Sequence, residues 1–245
     1  IGTATAALAV GGSNPGVLAN VEQWDGSSWT EVSDINSARE LMSMSGTSTA
    51  ALEYGGGDPI VATTESWDGS SWTEVADLAT ARSSGTGCMQ GSTSFAALQS
   101  GGQTATPSYV ATTEEFTAPS TFTKTNLGQV YYNSGSNAFK VTEQPVPGGS
   151  WASGGSLNTA RYGLMGAGIQ TAAIAAGGSI NAGPPTAPIT ADTELYNGST
   201  WTEVNNLNTA REFVAGVGSS NTAAIAFGGY DSPTNLALTE TWDGT

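Results

Sequence analysis

Groups that exchange protons, attack carbon or hold metals are scarce in this chain. It has no histidine, one cysteine (Cys88), and six basic residues against 21 acidic ones in 245. Without histidine, no Ser/His or Cys/His pair can activate a nucleophile. Four of the six basic residues, Arg39, Arg82, Arg161 and Arg211, close the same short motif: NSAR, ATAR, NTAR and NTAR. Carboxylates recur in phase with them. Glu22, Glu65, Glu114, Glu194 and Glu240 each stand two places before an aromatic residue. A guanidinium fork pairs well with a carboxylate, so the phase predicts a ring of Arg contacts pinning one unit to the next. A central anion site built by the arginines is the functional alternative. Repetition favours structure, since an active site rarely recurs in every unit.

The seven tryptophans (Trp24, Trp29, Trp67, Trp72, Trp151, Trp201 and Trp242) also fall on repeat positions. An aromatic at a fixed phase reads as packing between adjacent sheets. A sugar-stacking platform would need the rings exposed on one face. Glu114 and Glu115 are neighbours on a predicted strand, so they point to opposite faces and cannot act jointly on one substrate. The Trp-Asp-Gly and Tyr-Asn-Gly triplets are turn chemistry, with Gly supplying positive φ. A calcium loop would need several carboxylates around one Gly, and SWDGSSW offers one. The GxG stretches have no following helix and so are not phosphate loops. Cys88, in the small-residue run SSGTGCMQG, reads as a buried structural thiol rather than a reactive one.

The elements that position these residues are short strands. Each repeat divides into four: strand A after the Arg motif, rich in Gly, Ala, Ser and Met; strand B, a small apolar run ending in Gly-Gly; strand C, ending in the aromatic; strand D, the SWTEV stretch. Runs of this length between Gly, Asn, Asp and Ser suit an antiparallel meander. The first unit is expected to hold only B (Thr5–Gly12), C (Asn20–Asp25) and D (Ser28–Val32). Units two to five start at Arg39, Arg82, Arg161 and Arg211. The step from Arg82 to Arg161 is too long, and the surplus is an insertion at 119–149 between strands C and D of unit three. There GQVYY and AFKVT flank NSGSN, a hairpin signal. Its residues Tyr131, Tyr132, Asn133, Asn137, Phe139 and Lys140 form the candidate contact surface.

Composition narrows the partners. Thirty-three glycines and a charged fraction of 11% argue against long helices. A net charge of −15 disfavours nucleic acid and anionic membranes. It reads as solubility by self-repulsion, with collection of divalent cations the sharper alternative. There is no signal peptide and no apolar run long enough to insert in a membrane.

The four-strand repeat, with Gly-Gly after strand B and Trp opening strand D, resembles the kelch repeat, which forms β-propeller blades. The form LNTAR…GAG…TAAIAFGG…SSWTEV resembles, more closely, degenerate kelch-like repeats in predicted structural proteins of marine tailed phages. The resemblance implies an all-β, kelch-like β-propeller of four-stranded antiparallel blades, about five of them, as one domain over 1–245. Kelch enzymes of the galactose-oxidase kind use histidine ligands and a Tyr-Cys cofactor; a chain without histidine cannot be one.

The expectations are therefore these: no enzyme activity, no cofactor and no metal; a phage virion protein, exposed on tail, fibre or capsid for decoration or host attachment. Its partners would be other virion proteins, copies of itself in a homo-oligomer, and a host glycan or receptor. The alternative is a secreted or cell-surface bacterial adhesin or lectin on the same propeller. The absence of an initiator Met and the incomplete first and last units predict a longer parent chain, which an intact mass of about 24.7 kDa would contradict.

Overall fold

Small residues dominate strands A and B because adjacent sheets must approach closely there, and Gly, Ala and Ser leave the room. In the computed structural model these strands carry the close contacts between sheets. It describes residues 1–87, 96–105, 108–118, 149–180 and 188–245, and the backbone of 130–133 and 138–141. Cys88 and Asn137 lie outside the described residues, as do the side chains of Tyr131, Tyr132, Asn133, Phe139 and Lys140.

Among the described residues five antiparallel sheets form the blades, one per repeat, and two two-stranded sheets accompany them. Blade one comprises β1 (Gly2–Thr3), β2 (Ala6–Ser13), β3 (Val17–Trp24) and β4 (Trp29–Glu31), in that order. Blade two is β5 (Ser43–Thr47), β6 (Ala50–Tyr54), β7 (Thr64–Trp67) and β8 (Trp72–Glu74). Blade three begins with β9 (Thr86–Gly87), β10 (Ala96–Ser100) and β11 (Thr113–Thr117). The insertion then supplies β12 (Val130–Asn133) and β13 (Ala138–Val141), which pair with each other, Tyr131 opposite Lys140. Strand β14 (Ser150–Gly154) returns to pair with β11, so the insertion does sit between strands C and D. A short β15 (Arg161–Tyr162) precedes blade four, whose strands are β16 (Met165–Ile169), β17 (Ala172–Ala176), β19 (Thr193–Tyr196) and β20 (Trp201–Val204). β18 (Ser179–Ile180) pairs with β15. Blade five has three strands, β21 (Ala215–Ser220), β22 (Ala223–Phe227) and β23 (Thr239–Trp242). The result is an all-β, five-bladed propeller.

One expectation shifts. Blade one does contain part of a strand A: Gly2 and Thr3 pair with Ala7 and Ala6. Strand A follows the Arg motif, and between the two the residue two places after each arginine turns back. Leu41, Ser84, Gly163 and Phe213 all have positive φ, between 52° and 65°. These four form a belt from blade to blade: Ser84 N–H donates to the Leu41 carbonyl, Gly163 to Ser84, and Phe213 to Gly163.

The core lies between blades. Successive residues of strand B face opposite neighbours, so Leu98 packs on Ala173, Tyr196 and Trp201 of the next blade. Leu8 meets Ala51, Trp67 and Trp72, and Ile174 meets Ala224. Blade five has no such cover on its far flank: Ile225, equivalent to Leu98, is 40% exposed against 1%. Blade one is open on the other side, with Trp29 49% exposed where Trp72 is 7%.

Candidate functional site

The structure brings each repeat arginine to a repeat glutamate. Arg39 pairs with Glu65 and Arg82 with Glu114; Arg161 reaches Glu194 at 2.7 Å and Arg211 reaches Glu240 at 2.8 Å. All four arginines are buried. Each splits its backbone and side chain between two blades. The Arg82 carbonyl accepts from Gly56 N–H and its own N–H donates to Val61 O, both of blade two, while its guanidinium sits on β11 of blade three. Arg161 and Arg211 repeat this, their carbonyls accepting from Gly102 and Gly178. The glycines are required there: Gly101 has φ of +67°, and a Cβ on it would lie 2.7 Å from the Arg161 carbonyl oxygen. Glu22 stands exposed on β3, with no arginine partner among the described residues.

The sequence reading missed the second half of each pin. The other carboxylate oxygen accepts the backbone N–H of the residue three before the arginine: Ala79 on Glu114 at 2.6 Å, Asn158 on Glu194 and Asn208 on Glu240, both at 2.8 Å. Asn158 and Asn208 add their side-chain amides. The recurring Asn of the NTAR motif was the available signal. Burial lowers the guanidinium pKa of Arg82 and Arg161 and raises that of Glu194, which shows that desolvation acts on both partners.

Trp67, Trp72, Trp151, Trp201 and Trp242 pack in or against the clusters between blades, whereas Trp24 and Trp29 lie against each other on blade one. Trp72 Nε1 donates to Ser33 O at 3.1 Å, Trp151 to Thr64 Oγ1 at 3.2 Å, and Trp201 to Thr113 Oγ1 at 3.0 Å, each acceptor lying in the preceding blade or the segment leaving it. Trp29 alone of the strand-D tryptophans lies exposed. Glu114 and Glu115 do face opposite ways, for Glu115 accepts a hydrogen bond from the Tyr196 hydroxyl of blade four. Burial and that carboxylate push Tyr196 up to about 12. Asp25 and Asp68 each accept two backbone N–H bonds in their turns. Those bonds hold Asp25 down to about 2.

Departures from the repeat are where individual chemistry lies. Along the belt, Tyr109 stacks on Tyr162 (4.4 Å between centroids) and Tyr162 meets Phe213 edge-on at 5.7 Å. The Tyr162 hydroxyl contacts Glu212, and burial raises the pKa of both. In blade two, Glu53 is fully buried 2.6 Å from Arg39, which already holds Glu65. Burial pushes the Glu53 carboxyl up to about 8. A third departure is a cleft of about 180 Å³ between blades four and five, walled by Thr193, Leu207, Ala224, Ala226 and Trp242.

No family model matches the chain, and no curated protein matches it in sequence. The solved structure of YjhT does match in fold: TM-score 0.68, 13% identity, covering 96% of this chain and 80% of that one. At that identity the likeness speaks for architecture alone: the chain is a β-propeller structurally similar to YjhT, a kelch-repeat protein.

Proposed function

We propose that this propeller is a non-enzymatic surface protein of a phage virion, carried on tail, fibre or capsid for decoration or host attachment. The observation that supports this most is what the repeated ionisable groups do. All four repeat arginines and Glu65, Glu114 and Glu194 are buried in blade-to-blade pins. Repeated charge here serves rigidity, and the blades differ from one another in the β12–β13 hairpin, the belt aromatics and Glu53. A rigid scaffold with variable loops is how binding proteins are built. The likeness of the repeats to phage structural proteins supplies the virion setting, and other virion proteins and a host glycan or receptor are the proposed partners.

The test is direct. Antibody against the propeller should label purified particles by electron microscopy, and added free propeller should slow adsorption of phage to the host. Replacing 119–149 by a short turn should abolish that competition without changing the melting temperature. Absence of the polypeptide from purified particles would sink the proposal.

A further inference from the structure

The belt positions do not repeat, although the residues that pin the blades do. The residue after each arginine is Glu40, Ser83, Tyr162 or Glu212, and the next is Leu41, Ser84, Gly163 or Phe213. Gly163 takes its positive φ freely, whereas Phe213 is held at φ of +52° under strain with 52% of its surface exposed. Folding gains little from that choice, and strain kept beneath an exposed side chain points to a contact with a ligand. The open flank of blade five does not account for the exposure. Leu41 holds the same position with the following blade in place, and it is 50% exposed.

Phe213 is seated rather than loose. Its ring lies over Gly163, where a Cβ would come within 3.3 Å of Phe213 Cδ1. Tyr162 meets it edge-on and Tyr109 stacks on Tyr162, so three rings step across blades three, four and five. The Tyr162 hydroxyl contacts both Tyr109 and Glu212. Charge then selects the ligand class. The four repeat arginines are buried in the pins, and Lys124 and Lys140 belong to the insertion. The insertion follows Thr117, which pairs with the start of β10, whereas the belt bridge between Ser83 and Gln103 lies past the end of β10. Among the described residues the belt therefore has no exposed cation to hold a phosphate, sulfate or carboxylate. Glu212, the carboxylate in contact with the rings, is 9% exposed and offers a cation little. A neutral ligand with one flat apolar face and a polar rim fits what remains.

We propose that Tyr109, Tyr162 and Phe213 form a binding platform for a neutral glycan. One sugar ring lays its C–H face on Phe213, and a neighbouring hydroxyl hydrogen-bonds to the phenol of Tyr162. The platform deepens the host-attachment reading, rests on it for the source of the glycan, and lies at the other end of the blades from the insertion.

Saturation-transfer NMR on the purified propeller tests this, with neutral trisaccharides of glucose, galactose, mannose and N-acetylglucosamine. At least one should bind saturably, with a dissociation constant below about 5 mM. Phe213→Gly, which copies the residue of blade four, should weaken that binding at least about tenfold without lowering the melting temperature. Tyr162→Phe keeps the rings and should weaken binding several-fold. Saturable binding of none of the four sugars overturns the proposal, as does binding that survives Phe213→Gly. If Phe213→Gly melts lower, Tyr162→Phe decides, and unchanged affinity in that variant overturns it. A tetra-arginine peptide or a sulfated galactose that binds more tightly than every neutral sugar, and is lost with Phe213→Gly, also overturns it. The two readings fail separately: a polypeptide missing from particles sinks the virion setting with sugar binding intact, and a virion propeller that binds none of the four sugars sinks the platform.

Discussion

Glu53 stands where the other blades carry Ala9, Gln99, Ala175 and Ala226, and it makes the second carboxylate on a guanidinium that can neutralise one. With the pKa raised from 4.5 to about 8 by burial, the neutral acid is the form that suits the fold. The sign follows: a group whose folded pKa is raised contributes stability that is complete below pH 4.5 and is lost as pH climbs to about 8. Melting temperature measured against pH should fall over that window. Glu53→Gln should flatten the fall and raise the melting point at pH 8.5 by on the order of 5 °C; an unchanged slope refutes the assignment. The pins themselves predict a contrast. Arg82→Ala strands a buried Glu114 and should cost about 3–5 kcal/mol. Arg211→Ala should cost less, because Glu240 is partly open to water. Urea denaturation of the two variants decides it, and equal losses would show that exposure of the carboxylate has no bearing.

Each blade is held by what lies at its ends rather than by long strands. The Gly-Gly after strand B lets the chain pass under the carbonyl of the next blade's arginine. Gly101→Ala, which combines a strained φ with a carbonyl contact, should destabilise by about 1–3 kcal/mol; thermal unfolding that matches the parent protein would contradict it. The hairpin β12–β13 was legible from NSGSN between two apolar runs, because a local turn fixes register without help from distant residues. The belt was not. Positive φ at Leu41, Ser84 and Phe213 has no signal in those side chains, since only Gly163 is a residue that adopts it freely. The neighbouring blade's carbonyl supplies the reason, and that contact spans more than forty residues of sequence.

Across the whole molecule, stability is a chain of similar interfaces between neighbours, as in other repeat architectures, and among the described residues nothing covers Trp29 of blade one or Ile225 of blade five as their counterparts are covered. Leu98→Ala, inside such an interface, should cost about 2–5 kcal/mol, whereas Ile225→Ala on the open flank should cost under about 1. Calorimetry of the two checks this, and a large loss at Ile225 would mean that the flank is covered in solution. The repeat phase and the pairing of arginine with glutamate were determined by sequence alone, because repetition exposes phase; the insertion showed as the one break in that phase, and the propeller followed from the resemblance to kelch repeats. Tertiary structure alone decided which blade each half of an arginine serves, and that Glu53 shares Arg39. The physical reason is that these depend on which neighbour a flank meets, and a repeat unit carries the same residues whether or not its neighbour is there.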